Sequence, residues 1–331
     1  MKGTCMKNKL KRIVSSMIII GILFIFIIGI SFINHKIKLS KEDRIFVPNG
    51  KMIEINGHKM HLYIKGQGNE TLVFMSGGGT PSPVLDFKSL YSLLEDEYKI
   101  VVVEKAGYGF SEIYDDNRDL DIILNETRGT LSKVGLEPPY ILFPHSMSGI
   151  EALYWAQQYP KEVKGIVGLD MAVPEAYENF KINNFLLNIA SFASKTGITR
   201  FIPSIFNNLA AIKYGTLTQE EKDLYRAIFY RRILTKSMLN EVNQIKGNAK
   251  KVKENGPPDV PILFFISNGN GTGWDKDKWK SFQTSYIENL ASAKYIELDC
   301  EHYIHNIEYK KIAEESRKFI IEIINMNMLK I

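Results

Sequence analysis

Short apolar runs alternate with helical patterns along most of this chain, and that alternation restricts the fold more than any other feature. Thr71–Met75 (TLVFM), Lys99–Glu104 (KIVVVE), Tyr140–Phe143 (YILF), Val163–Leu169, Pro261–Ile266 (PILFFI) and Lys294–Leu298 (KYIEL) read as strands. Leu120–Val134, Ile150–Tyr159 and Tyr309–Ile324 read as helices, and Val84–Leu94 is helix-like. A strand that is apolar throughout has both faces buried, which belongs to a parallel sheet covered by helices on each side. Ahead of these runs, KMIEI, Asn56-Gly57 and HKMHLYIK make a hairpin pattern over Lys51–Lys65, because Asn-Gly favours a tight turn between strands. The expectation is an α/β fold with a mostly parallel central sheet of about eight strands flanked by helices. The alternation stops between about Pro174 and Gly256. That stretch is rich in Phe, Leu, Ile and Tyr and holds the helical patterns Phe185–Ser194, Gln219–Tyr230 and Lys236–Lys253. It reads as a helical cap inserted at about 174–256 between two sheet strands.

A different constraint governs the start of the chain. Ile13 to Ile33 (IVSSMIIIGILFIFIIGISFI) carries no charge, and at the helical rise it spans roughly 31 Å, enough for the hydrocarbon core of a bilayer. Lys2, Lys7, Lys9, Lys11 and Arg12 precede it with no acid among them, which sets the N-terminus in the cytoplasm; Lys36, Lys38 and Lys41 beyond the run act against that bias. No small-residue cleavage site follows at Phe32-Ile33-Asn34-His35, so an uncleaved anchor is expected over a signal peptide. A buried core helix would carry polar interruptions. The chain then divides into a basic cytoplasmic segment 1–12, a transmembrane helix 13–33, a polar tether 34–50 and a domain 51–331 that contains the cap. The expected location is the cell membrane, single-pass, with the large domain extracytoplasmic. This accounts for the net charge of +5. Residues 1–44 hold nine Lys/Arg and two acids, leaving a nearly neutral remainder with no nucleic-acid footprint. Two cysteines, Cys5 and Cys300, exclude a disulfide scaffold and a Cys-rich zinc site.

The chemistry concentrates at Tyr140–Tyr159, YILFPHSMSGIEALYWAQQY, where a strand runs into a helix through Ser146. A serine on such a turn exposes its hydroxyl at the C-terminal edge of the sheet. The helix behind it turns free backbone N–H groups towards developing negative charge. By itself the segment fits an N-cap serine equally well.

Taken together, the motifs resemble the α/β-hydrolase superfamily from about residue 51 to the end. Pro144-His145-Ser146-Met147-Ser148-Gly149 is similar to the family's G-x-S-x-G elbow, with Pro144 and Ser148 where glycines are usual. Pro144 removes a backbone donor at the end of a central strand. Glu104–Ser111 (EKAGYGFS) resembles the family's D-x-P-G-x-G-x-S turn, and Ser76-Gly77-Gly78-Gly79-Thr80 stands where His-Gly is usual. The resemblance implies a capped serine hydrolase with Ser146 as nucleophile and the backbone N–H groups of Gly78 and Met147 as oxyanion hole.

Of six histidines, His35 falls at the membrane edge, His58 and His61 in the hairpin are expected at a solvated surface, and His145 reads as structural. His302 and His305, in DCEHYIHN before the last helix, match the family's G-H-x-x-H. The resemblance implies His302 as the base, with His305 second. The acid stays open. Asn270 occupies the usual Asp position after PILFFI. Asp170 ends the strand before the cap, where some relatives place the acid, and a carboxylate there is costly unless paired. Asp170 is preferred, with Asp275 and then Asp277 as alternatives.

A serine in place of aspartate separates the elbow from the dehalogenases and epoxide hydrolases of the superfamily. No HExxH, P-loop or dinucleotide G-x-G-x-x-G occurs, so no cofactor or metal is expected. The expected function is a membrane-anchored, carboxylesterase- or lipase-like serine hydrolase that cleaves a carboxylic ester or related small acyl substrate through an acyl-enzyme. Two alternatives stand beside it. One is a proline-iminopeptidase-like aminopeptidase, with Glu175 and Glu178 receiving the substrate amine. The other is a catalytically silent α/β-hydrolase-fold binding protein, which Pro144 and Asn270 would suit.

Overall fold

The computed structural model describes residues 2–328, with side chains described for 10–326; the side chains of Lys2, Cys5, Lys7 and Lys9 lie outside the described part. The hairpin forms as β1 (Lys51–Ile55) and β2 (His58–Lys65), joined by Asn56 and Gly57, both at positive φ as the tight turn requires. The apolar runs become β3 (Thr71–Met75), β4 (Lys99–Glu104), β5 (Tyr140–Pro144), β6 (Val163–Leu169), β7 (Ile262–Ile266) and β8 (Ala293–Glu297). The eight strands form one sheet in the order β1-β2-β4-β3-β5-β6-β7-β8. β1–β2 and β2–β4 pair antiparallel and every other pair is parallel.

Each inner strand feeds two cores by alternation. Val73, Val101, Leu142 and Ile166 face one core, while Phe74, Val102, Phe143 and Val167 face the other. α1 (Lys2–Glu42) precedes the sheet; α2 (Pro83–Asp86) and α3 (Lys88–Tyr91) follow β3; α4 (Leu120–Lys133) follows β4 and α5 (Ser148–Gln158) follows β5. The single helix expected over Val84–Leu94 is thus two short ones. Between β6 and β7 lie α6 (Glu175–Glu178), α7 (Asn184–Lys195), α8 (Pro203–Asn207), α9 (Ala210–Lys213), α10 (Gln219–Arg232) and α11 (Lys236–Glu254). This is the expected helical insertion, with Thr218 and Glu221 forming a capping box on α10 and Thr235 capping α11. α12 (Lys276–Ile287) follows β7, and α13 (Ile304–Ile307) and α14 (Tyr309–Met328) close the chain.

Three further features depart from the expectations. Residues 34–42, read as tether, continue α1. The Arg200 guanidinium holds this turn, meeting His35 Nδ1 at 2.8 Å and the Glu42 carboxylate at 2.7 and 2.8 Å, and the Ser31 hydroxyl donates to the Thr196 carbonyl at 2.8 Å. The stretch from Leu10 is long and apolar enough to cross a membrane. His58 and His61 are buried rather than solvated, because β2 is an inner strand crossed by the segment after β4. His61 Nδ1 lies 2.9 Å from Glu104, and His58 stacks on Tyr114. The third departure is α12, for which no helix was expected.

α5 sits against the chain after β6 because Gly149 has no side chain. A Cβ there would lie 2.3 Å from the Ala172 carbonyl oxygen, a backbone atom that cannot swing aside. Gly149→Ala is expected to destabilise the fold by about 1–3 kcal/mol, read as a lowered midpoint in chemical denaturation.

Candidate active site

Three strand ends meet at the C-terminal edge of the sheet. β5 ends on Pro144, which cannot donate, but the ladder with β3 survives it: the His145 N–H donates to the Met75 carbonyl at 3.0 Å. The Ser148 hydroxyl, where a glycine is usual, accepts from the His145 N–H at 3.0 Å and lies 2.7 Å from the same Met75 carbonyl. The turn therefore keeps its shape without the usual glycines. Ser146 sits at its apex with φ of 54°, the left-handed conformation that aims its side chain out of the strand. Gly77 permits this approach, since a Cβ there would be 2.8 Å from the Ser146 Cβ.

His302 Nε2 lies 2.8 Å from Ser146 Oγ, and His302 Nδ1 lies 2.5 Å from Asp170 Oδ2. Asp170 is fully buried just past β6, also left-handed at φ 48°. Its Oδ1 accepts from the Ser267 N–H at 2.9 Å, Trp279 Nε1 at 3.0 Å and Gln283 Nε2 at 3.2 Å. Burial pushes the carboxyl up, but the hydrogen bond and charge of His302 and the Ser267 N–H outweigh it and hold the group below its ordinary value.

The other residues singled out in the sequence lie apart from this chain of contacts. Asp275 caps α12, accepting from the Lys278 N–H at 3.1 Å, and Asp277 is in the first turn of that helix. Asn270 contributes its backbone carbonyl, which accepts the His302 N–H at 2.9 Å. His305 pairs with the buried Asp86 at 2.8 Å. His145 Nε2 lies 3.2 Å from the His302 carbonyl, and burial, followed by the charges of His305 and His302, lowers its pKa well below the ordinary value. Its imidazole is therefore neutral at pH 7. Glu175 and Glu178 turn to Lys253.

Gly78 and Met147 flank Ser146, and among the described residues neither N–H has a protein acceptor. With Ser146 they line a cavity of about 220 Å³. Its walls include Tyr177, Phe180, Leu234, Met238, Trp274 and Trp279, and no carboxylate, ammonium or guanidinium lines it among the described residues.

Two supporting groups were not foreseen. Trp279 and Gln283 went unnoticed because the polar sequence KDKWKSFQTSYI shows little helical periodicity. Behind the glycine loop, buried Lys105 bridges Glu151 of α5, at 2.5 Å, and Glu241 of α11. The Tyr108 hydroxyl donates to Glu241 at 2.8 Å and accepts the Gly79 N–H at 3.3 Å. The sequence of the turn, EKAGYGFS, does not point to this group. Its partners come from a sheet helix and a cap helix far apart in the chain.

The alpha/beta hydrolase fold family matches residues 70–305, which takes in the elbow, the cap and His302. The chain belongs to that family. It is 38% identical to YbdG, an uncharacterized protein of Bacillus subtilis, over 87% of this chain and 91% of the relative. Among solved structures, this α/β hydrolase superposes on a haloalkane dehalogenase from Bradyrhizobium elkani with a TM-score of 0.61 at 16% identity, covering 83% of this chain and 98% of that one. The enol-lactonase from Burkholderia xenovorans superposes with a TM-score of 0.58 at 16% identity, over 83% and 100% of the two chains. These likenesses show the fold.

Glu151 gives the hydrolase a pH dependence of its own. Burial, reinforced by the Glu241 charge and opposed by Lys105, pushes its carboxyl from 4.5 up to about 7. A pKa raised on folding contributes stability that is complete below the unfolded value and lost as pH rises through the folded one. Stability is thus expected to fall as pH rises from 4.5 to 7 on account of this group. Glu151→Gln should flatten that part of the profile in denaturation midpoints measured across the range.

Proposed function

We propose that this protein is a membrane-anchored serine hydrolase acting on a carboxylic ester or related acyl substrate. The observation that carries the reading is the unbroken chain Ser146–His302–Asp170, at 2.8 and 2.5 Å, opening on an apolar cavity. His302 takes the Ser146 proton as Oγ attacks the acyl carbon, and Asp170 stabilises the imidazolium that forms. The free N–H groups of Gly78 and Met147 receive the oxyanion. The imidazolium then protonates the leaving alcohol. Water, deprotonated by His302, releases the acid from the acyl-serine. The absence of a charged group from the described cavity lining favours an acyl chain over a peptide amine; Glu178 is tied to Lys253, and neither it nor Glu175 lines the cavity.

Ser146→Ala is expected to abolish hydrolysis of a short p-nitrophenyl ester, and labelling by a fluorophosphonate probe, with the circular dichroism spectrum unchanged. Asp170→Asn should lower kcat by about four orders of magnitude. Asp275→Asn should leave kcat intact, and equal losses in the two variants would refute the assignment of the acid.

In this reading residues 13–33 span the bilayer, residues 1–12 stay in the cytoplasm and the domain 51–331 lies outside. Protease added to intact cells stripped of their wall should digest the domain and spare an epitope placed ahead of Ile13. The reverse pattern would invert the topology.

A further inference from the structure

The cap carries an apolar face that the domain leaves uncovered. α7 turns Ser191 and Ser194 inward, where their hydroxyls donate to the Leu234 and Ile233 carbonyls at 3.2 and 3.3 Å. Its other side presents Phe185, Leu186, Ile189 and Phe192 at helical spacing, with Phe185 73% and Phe192 52% exposed. Phe201, 62% exposed, and Ile202 continue this surface beyond the helix. So many large apolar side chains on one element are not scattered exposure of the ordinary kind.

The helix packed against its end, distant in the chain, points to what covers it. α1 touches the cap where α7 ends: the Ser31 hydroxyl meets the Thr196 carbonyl, and Gly197 lies so close to α1 that a Cβ there would be 2.4 Å from the His35 Cβ. Ser31 and His35 stand at the far end of the apolar run, where a spanning helix leaves the hydrocarbon. The cap residues beside them therefore lie at the depth of the bilayer–water boundary. Exposed Lys36 and Lys38 on the next turn of α1 suit the headgroup layer at that level. An amphipathic helix with Phe and Leu on its outer side, held at that depth, matches the composition of an interfacial helix. The inner side of α7 binds Leu234, and Leu234 lines the cavity beside Ser146.

We propose that the outer face of α7, with Phe201 and Ile202, docks in the bilayer that holds α1, and that the cavity beneath takes acyl esters dissolved in that bilayer. The docking rests on α1 as a membrane span, and the substrate class rests on the serine hydrolase reading.

The test uses the full chain in phosphatidylcholine vesicles. A nitroxide is placed at Leu186→Cys in a Cys5→Ser background, with Glu137→Cys, ahead of β5 at the opposite edge of the sheet, as reference. The label at 186 should relax more with oxygen than with an aqueous nickel chelate, and the label at 137 the reverse. Phe185→Ser/Phe192→Ser should lower kcat/KM for a long-chain p-nitrophenyl ester predissolved in the vesicles about tenfold, and leave a short soluble ester unchanged. A chain that washes off the vesicles overturns the span and the docking with it. A retained chain whose label at 186 is as open to nickel as that at 137 overturns the docking alone, and concentration-dependent dimerisation would then assign the face to a second copy. A buried label with both esters equally affected, or neither, overturns the delivery of substrate from the bilayer. Full activity of Ser146→Ala on the soluble ester would instead sink the hydrolase reading.

Discussion

The site depends on satisfying one buried carboxylate. Asp170 lies wholly out of water at the end of β6, and a lone carboxylate there would be intolerable. Its two oxygens collect four donors: His302, the Ser267 N–H just past β7, and Trp279 and Gln283 of α12. Those donors tie three segments after β7 to the tip of β6. The same bonds orient the His302 ring, so that Nε2 is left for Ser146. Stability and geometry are thus one requirement: whatever holds the acid in place also aims the imidazole.

The fold was legible because its signals are local. Both-face-buried strands such as TLVFM and PILFFI have no other home than a covered parallel sheet, and Asn56-Gly57 at positive φ makes the one turn its sequence favours. The meeting of Ser146 and His302 was also legible, since each sits in a short motif at a fixed place relative to a strand. What escaped was non-local or weakly patterned. α12 has few apolar residues, because its role is to present Trp279 and Gln283 inward while most of its surface stays wet. His58 and His61 looked like surface residues from a hairpin pattern. They are buried because β4 pairs with β2 and the chain after it folds across, and neither contact leaves a trace in the hairpin itself. The end of α1 was misplaced for the same reason: Arg200, more than 150 residues on, holds its last turns.

The cap is joined to its surroundings by polar contacts on two sides. Arg200 and Arg231 bind the end of α1, Arg231 reaching Asp43 at 2.9 Å, while Glu241 of α11 enters the buried group with Lys105 and Tyr108. Through the Tyr108 hydroxyl that group touches the glycine loop at Gly79. The insertion is therefore fastened both to the N-terminal helix and to the loop that flanks Ser146, and the elements that shape the cavity are held from opposite ends.

The left-handed backbone at Asp170 restricts how this protein can drift in sequence. Only Gly, Asn and Asp adopt that conformation without appreciable strain, so the position tolerates few exchanges whatever the side chain does. Moving the acid to the loop after β7, where Asn270 stands, would take more than one substitution. The old position would need Asn or Gly, and Trp279 and Gln283 would be left with buried donors and no charge to receive them. Backbone conformation and surrounding donors thus act together to keep a carboxylate at position 170.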